Sequence, residues 1–436
     1  MRIAFFVLLI ISCLKSQTLA QTKGPVRPSP AQLQWHETNF YLFFHFGPNT
    51  FTNREWGHGT ETEDVFNPSA LDCDQWCRIA KQAGAKGVII TAKHHDGFCL
   101  WPSKYSTHTV RESKWKNGKG DVLRELSDAC RRHGLKFGVY LSPWDRNHPK
   151  YGTSEYNDVY ANTLTELLTS YGDLFEVWWD GANGEGPNGK KQVYDFHRFE
   201  KLVAKHQPNA IIFSDIGPGC RWAGNEQGTV SETNWCMLDT VGFGRGATGP
   251  PSETLQTGQE TAANWIPAEC DVSIRPGWFY HAEEDNQVKS PDQLFEIYLK
   301  SSGRGANLIL NVPPDPGGRI HASDSAALVA FGEKLHNAFA TDLAKNKKIK
   351  RNLLDLGHEA SFNTILLRED ISKGQRVKSF KIQSFQNGKW EDIVQSTTIG
   401  AKKILQFKEI RTRKLKVIWV ASNGAPALKA FEIYKI

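Results

Sequence analysis

Short, nearly unbroken apolar runs alternate with helix-length stretches from residue 39 to residue 339, and this alternation limits the fold more than any other feature. The runs lie at 39–47, 86–93, 135–142, 175–180, 210–215 and 306–312. Helical stretches lie at 69–84, 121–133, 156–171, 191–206, 290–302 and 323–339. Strands that are apolar on both faces belong in a parallel sheet covered on both sides. About eight such units suit a (β/α)8 barrel with enlarged loops. Strands six and seven fall within 216–280, where loop residues dominate. An open doubly wound sheet is the alternative. It expects a Gly-x-Gly-x-x-Gly after the first run, and none is there.

From residue 345 the period changes to two. Short alternating runs at 362–367, 377–385, 404–407, 415–420 and 428–434 are separated by turns such as Asn387-Gly388. The expectation is an α/β barrel over 21–344, followed by a C-terminal antiparallel β-sandwich over 345–436. Residues 345–436 carry 20 Lys+Arg against 8 Asp+Glu, although the whole chain is only +6. A nucleic-acid enzyme would gather positive charge around its cleft. Here the charge sits in the tail domain, so nucleic acid is excluded as a partner. The sandwich reads as a brace for the barrel.

Residues 1–20 read as a secretory signal: Met1-Arg2, an apolar run at 3–11, and Ala20 before the cut. Cys13, after Ile10-Ile11-Ser12, also fits a bacterial lipid-anchor site. The chain is therefore expected to be secreted, to a bacterial periplasm or cell surface, with no membrane span. Seven Cys remain after Ala20, and they read as free, buried thiols rather than a disulfide scaffold.

The run at 175–180 ends in Trp178-Trp179-Asp180, and Gly181, Gly184, Gly186 and Gly189 then break it into a loop. A carboxylate at the exit of a barrel strand stands where that architecture puts its chemistry. Asp180 reads as a nucleophile, with a helix cap or turn as the bland alternative. Other strand ends deliver His45, His94-His95 and Tyr140. Zinc on His45, His94, His95, Asp96 and Asp180 is an alternative. It is disfavoured because strand-borne ligand pairs are usually His-x-His, which puts both side chains on one face. Residues 184–191 nearly match a phosphate-binding loop. However, they lack the Ser/Thr for magnesium, and Pro187 removes a backbone donor. No metal or cofactor is implied.

A general acid would face Asp180. Glu226, in Trp222-Ala223-Gly224-Asn225-Glu226, is the candidate, because an adjacent Trp222 would raise its pKa by desolvation. Glu55, Glu61, Glu185 and Glu269 compete for the role. Trp56, Trp144, Trp179, Trp222 and Trp278 could wall a pocket, some of them being core instead. Two carboxylates with aromatic walls suit glycoside hydrolysis. A glycan-binding protein on an inactive barrel and a metal-dependent hydrolase are the competing functions.

At this point five motifs in order along the chain carry a resemblance. They are Phe43-Phe44-His45-Phe46-Gly47, Glu55-Trp56-Gly57, Lys93-His94-His95-Asp96-Gly97-Phe98, Trp178-Trp179-Asp180-Gly181 and the segment 307–314. They resemble glycoside hydrolase family 29, the α-L-fucosidases. The resemblance implies retaining removal of terminal α-L-fucose from fucosylated oligosaccharides or glycoconjugates. Asp180 would be the nucleophile. His45, His94, His95 and Tyr140 would bind sugar hydroxyls, Trp56 and Trp278 would line the pocket, and Glu55 and Arg221 would join the substrate site. Gly224-Asn225-Glu226 resembles the subgroup acting on α-1,3/1,4-linked fucose of branched, Lewis-type glycans, with Glu226 as acid/base.

Overall fold

Eight parallel strands close into a ring in a computed structural model that describes residues 25–347 and 349–436. They are β1 (Phe40–Phe44), β2 (Gly87–Lys93), β3 (Lys136–Leu141), β4 (Leu174–Trp178), β5 (Ile211–Ser214), β6 (Cys220–Trp222), β7 (Ala268–Ser273) and β8 (Asn307–Asn311). They follow one another around the barrel, and β8 pairs back onto β1. The expected signal peptide and the Cys13 anchor lie outside the described residues. Among those described, no helix is long and apolar enough to cross a membrane.

The helices arise where the sequence predicts, with shifted ends. Asp121 caps helix Val122–His133 by accepting from Arg124 N, and Gly134 closes it at φ 63°. Ser290 and Gln293 form a reciprocal capping box on Pro291–Lys300. Asp72, not Ser69, caps Cys73–Gln82. The chain just before it is held by Gly317 and Gly318, whose carbonyls accept from Ala70 N and Asp72 N. The helix therefore starts one turn later.

The ring departs from strict strand–helix alternation once. β6 follows β5 after only residues 215–219, with no helix between. The next strand comes after a long excursion, which carries the short helix Ser252–Thr257 and a ribbon pairing Met237–Leu238 with Asn264–Trp265. Hence the sixth and seventh runs are hard to see in the sequence.

Side-chain parity explains what the ring presents. Tyr41, Phe43, Tyr140, Trp178, Phe213 and Cys220 cluster inside, and Trp35, from the helix Pro30–His36, packs with them. Leu42, Phe44, Val177 and Trp179 pack outward against the helices. Period two continues past the strand ends, so His45 and Asp180 face inward. The seven described cysteines are all free and buried.

Beyond residue 350 the chain forms β9 (Leu353–Glu369), β10 (Val377–Gln386), β11 (Lys389–Ser396), β12 (Lys403–Ser422) and β13 (Leu428–Tyr434). All pairings are antiparallel. β9 and β12 are long and break register at Asp355/Ala360 and Phe362/Thr364. One half of β12 pairs with β9 beside β13, and the other half pairs with β10 beside β11. Both halves contribute to one core containing Phe362, Ile365, Phe380, Leu415 and Ile433. One laddered sheet thus supplies the β-sandwich. Trp390 and Trp419 are half-buried, and neither is an open sugar platform. The domain grips the barrel instead: Thr398 Oγ1 accepts from Asn234 N at 2.8 Å, and Gln375 Oε1 accepts from Cys236 N at 2.7 Å.

Candidate active site

A cavity of about 340 Å³ opens at the C-terminal mouth of the barrel. Its floor is Phe43, Trp178 and Phe213. Trp56, Trp222 and Trp278 form apolar walls, with His45, His94 and His95 between them. Five carboxylic residues also line it: Glu55, Asp180, Asp215, Glu226 and Asp271. No Lys or Arg does. The size suits a monosaccharide unit with part of its neighbour.

Asp180 sits two residues past the last residue of β4. Its Oδ1 accepts from Ala182 N at 2.8 Å, and its Oδ2 accepts from the Tyr140 hydroxyl at 3.1 Å. His95 Nε2 lies 3.7 Å from Oδ2. The carboxylate is fixed by two donors yet remains a quarter exposed, with its side chain at 26 %. Trp179, one residue before it, points into the helix layer against Phe196 and Phe199 and is core.

The histidines are neutral hydrogen-bonding groups. Burial lowers His45 and His95 to about 4, and lowers His94 well below the usual imidazole range. Asp180's charge opposes the shift at His95 without cancelling it. Ser142 donates its hydroxyl to Trp144 O, so it must accept from His95 Nδ1, 2.8 Å away. His45 Nδ1 likewise donates to Asn311 Oδ1 at 2.8 Å. Each neutral ring is then left with an unprotonated Nε2. The Nε2 lone pair of His95 faces the Asp180 carboxylate, and a sugar hydroxyl donating to it would relieve that opposition. His94 and His95 both reach the cavity because β2 ends at Lys93. The chain turns there, Gly97 N bonding back to His94 O with φ 87° at Gly97.

Glu226 lines the cavity on the loop after β6, exposed, with the Trp278 indole N–H 3.4 Å from Oε2. The expected desolvation by Trp222 is not what the structure shows. Trp222 Nε1 donates to Asp271 Oδ1 at 2.8 Å instead. Asp271 is the residue that sequence reasoning missed. It is buried, and burial followed by the charge of Glu226 pushes it well above the usual carboxylate range. The signal was available: Glu269, Asp271 and Ser273 alternate along a strand, so all three face inward. Asp215 also lines the cavity and is raised by burial.

Arg221 corrects an expectation. It alternates with the inward Cys220 and Trp222, so its side chain leaves the barrel and ends fully buried, away from the cavity. Leu255 O, Ile266 O, Asn234 Oδ1 and Trp235 O accept from its guanidinium. Burial lowers it to about 10. Its place is structural, tying the excursion after β6 to the ring.

Of the competing carboxylates, only Glu55 lines the cavity. Both its oxygens are engaged, accepting from Trp278 N at 2.8 Å and Phe279 N at 3.1 Å, with His281 Nε2 at 2.6 Å. It clamps the loop after β1 to the loop after β7. Glu61 accepts from His58 N and Gly59 N, and Glu185 is exposed on the Gly-rich loop. That loop packs on Trp144, where a Cβ at Gly184 would come within 2.1 Å of the indole.

Glu269 lies beneath the floor with Glu176. The Tyr41 hydroxyl lies within hydrogen-bond distance of both and donates its one proton between them, Trp35 Nε1 donates to Glu176 at 2.8 Å, and Trp178 Nε1 donates to Glu269 at 2.8 Å. Among the described residues, Glu176, Cys220 and Glu269 are the group close enough to share an ion, rather than the histidines. Three N–H and O–H dipoles point their positive ends at this pair, which disfavours a metal cation. Burial raises Glu176 to about 7 and Glu269 further, so the pair holds a proton. Glu269 thereby fixes the Trp178 floor.

Three comparisons show which family the chain belongs to. A family model described as alpha-L-fucosidase matches residues 30–338. Alpha-L-fucosidase 1 of Arabidopsis thaliana is 40 % identical over 99 % of this chain and 92 % of its own length. The crystal structure of a glycoside hydrolase 29 family member from an unknown rumen bacterium is 43 % identical with TM-score 0.87, covering 94 % of this chain and 78 % of that one. A Ruminococcus gnavus glycoside hydrolase 29 fucosidase, solved with fucose, is 29 % identical with TM-score 0.83, covering 95 % and 96 %.

Proposed function

The chain belongs to the alpha-L-fucosidase family and is a glycoside hydrolase, and from that premise we propose that it is a retaining exo-enzyme for α-1,3/1,4-linked fucose on branched, Lewis-type glycans. One observation carries the assignment of roles. Asp180, held by two donors on a strand exit, and Glu226, free on a loop, line the same sugar-sized cavity.

In the first step Glu226 gives its proton to the glycosidic oxygen while Asp180 attacks the anomeric carbon. The C–O bond to the leaving sugar breaks as a fucosyl ester forms on Asp180. Glu226, now a carboxylate, takes a proton from water, and the resulting hydroxide displaces Asp180. Tyr140 holds the attacking oxygen in place. His45 and His95 accept from sugar hydroxyls through Nε2. Trp56, Trp178 and Trp278 give the apolar sugar face a dry surface.

A panel of α-1,2-, α-1,3-, α-1,4- and α-1,6-fucosylated oligosaccharides tests the linkage. Release from the α-1,3 and α-1,4 compounds is expected, and release from only the α-1,2 or α-1,6 compounds overturns it. Export is proposed from residues 1–20 alone. A mature N-terminus at Gln21 fits a cleaved signal, one at Cys13 fits a lipid anchor, and an intact Met1 contradicts both.

A further inference from the structure

Asn311 belongs to the segment 307–314, one of the motifs that carry the resemblance, and the mechanism gives it no task. It is the last residue of β8 and is 0 % exposed. It does not line the cavity. Every hydrogen-bonding position of its amide is engaged. Nδ2 donates to Ser273 Oγ at 2.9 Å and to Trp278 O at 2.8 Å. Oδ1 accepts from His45 Nδ1 at 2.8 Å and from His45 N at 3.3 Å.

Its partners determine which way the amide points. Trp278 O can only accept and His45 N can only donate, so a turned amide would set like groups against each other at both. Ser273 Oγ donates to Gly277 O at 2.6 Å and therefore accepts from Asn311. The network runs one way, from His45 through Asn311 to the loop after β7. His45 then carries its proton on Nδ1, and its Nε2 is an acceptor. That nitrogen has no partner among the described residues and is not among the fully enclosed unpartnered atoms, so it is open to the cavity.

The same amide seats the wall beside the histidine. The His45 and Trp278 rings lie 5.2 Å apart between centroids. Glu55 accepts from Trp278 N while Asn311 donates to Trp278 O, so the Trp278 backbone is held from both sides. We propose that Asn311 is the positioning residue for sugar recognition on this wall: it locks His45 as an acceptor and seats Trp278 beside it, so that the pocket requires a fucose hydroxyl that donates there. This rests on the reading of His45 as a sugar contact. Asn311 acts only through His45 and Trp278. A His45 ring with its proton on Nε2 would require the opposite, a sugar oxygen that accepts.

The test is competitive inhibition by L-fucose and by its 2-, 3- and 4-deoxyfluoro analogues. Fluorine accepts weakly and cannot donate. In the native protein, fluorine in place of the hydroxyl held by His45 should weaken binding about tenfold. Asn311→Ala removes the acceptor for Nδ1–H and frees the ring to carry its proton on Nε2. L-Fucose should then bind about tenfold more weakly, and the penalty for fluorine at that one position should shrink. KM for a fucosyl oligosaccharide should rise by more than kcat falls. Nitrogen NMR of the native protein decides the matter if Asn311→Ala does not fold. It should find the His45 proton on Nδ1, with the Nε2 signal moving when L-fucose is added. A His45 proton on Nε2, or a fluorine penalty that Asn311→Ala leaves unmoved, overturns the proposal. His45→Ala separates it from the reading on which it rests. If that variant binds L-fucose as tightly as the native protein, His45 is no sugar contact, and the reading fails together with the proposal. If it binds weakly while Asn311→Ala keeps the full fluorine penalty, the positioning role alone fails.

Discussion

The two halves of the barrel build the same cavity by different means. In β1 to β4 each functional group stands at or just past a strand end and is fixed by near neighbours. Asp180, Tyr140, His95 and Ser142 form a chain with hydrogen bonds of 3.1 and 2.8 Å and one 3.7 Å approach. In β5 to β8 loops do the work. Glu226 has one indole at 3.4 Å, Asp271 is held from a neighbouring strand, and the excursion after β6 is anchored by Arg221 and by the sandwich. In the proposed mechanism the nucleophile needs a fixed attack geometry, which a strand end supplies. The proposed acid/base must serve first a leaving sugar and then a water, which a loop-borne carboxylate with few partners allows.

Substitutions can break this contrast, and the rigid half should respond most. Asp180→Ala should lower kcat by on the order of 10⁴-fold. Azide should restore part of the turnover and yield a fucosyl azide of inverted configuration. Glu226→Gln should cost about 10²–10⁴-fold on an unactivated glycan, and much less on a fucoside whose aryl leaving group needs no proton. Equal losses on both substrates would deny it the acid role. Tyr140→Phe removes one charge-assisted hydrogen bond to Asp180 and should lower kcat about tenfold, with KM little changed. Arg221→Met should leave KM unaltered while lowering stability by about 3 kcal/mol or more, because several buried acceptors lose their donor. Denaturant melts read that difference. A raised KM would return Arg221 to the substrate site.

The histidines sharpen the contrast without mutation. Their pKa values are lowered on folding, so the folded state binds fewer protons than the unfolded one between about 4 and 6.5. Their contribution to stability is present above about 6.5 and fades as pH falls toward about 4. Nitrogen NMR should find His45 and His95 neutral at about pH 6, with the proton on Nδ1. A charged ring there would contradict the hydrogen-bond assignment.

The regular half was legible in the sequence because its signals are local. An apolar run, a polar strand exit and a helix cap sit in order, and they put His45, His94, His95 and Asp180 on one cavity; Tyr140, expected to bind a sugar hydroxyl, is instead buried behind Asp180 and donates to it. Asn387 and Gly388, both at positive φ, make the tight turn that their sequence announces. The irregular half was less legible because β6 is three residues long and β5 to β6 lacks a helix. Parity still held there. Applied to Cys220-Arg221-Trp222 it sends Arg221 outward, and applied to Glu269-Cys270-Asp271 it brings Asp271 in. In the tail, the runs at 404–407 and 415–420 are two parts of the single strand Lys403–Ser422, and Lys389–Ser396 escaped notice because its half-exposed residues alternate weakly.

The account's central claim is that Asp180 forms the covalent bond to the sugar. Incubation with a 2-deoxy-2-fluoro-α-L-fucosyl fluoride, followed by mass spectrometry of the digested protein, tests it directly. The account predicts one fluorofucosyl adduct, on Asp180. An adduct on Asp215, Glu226 or Asp271, or none while the natural substrate is hydrolysed with inversion, would contradict it.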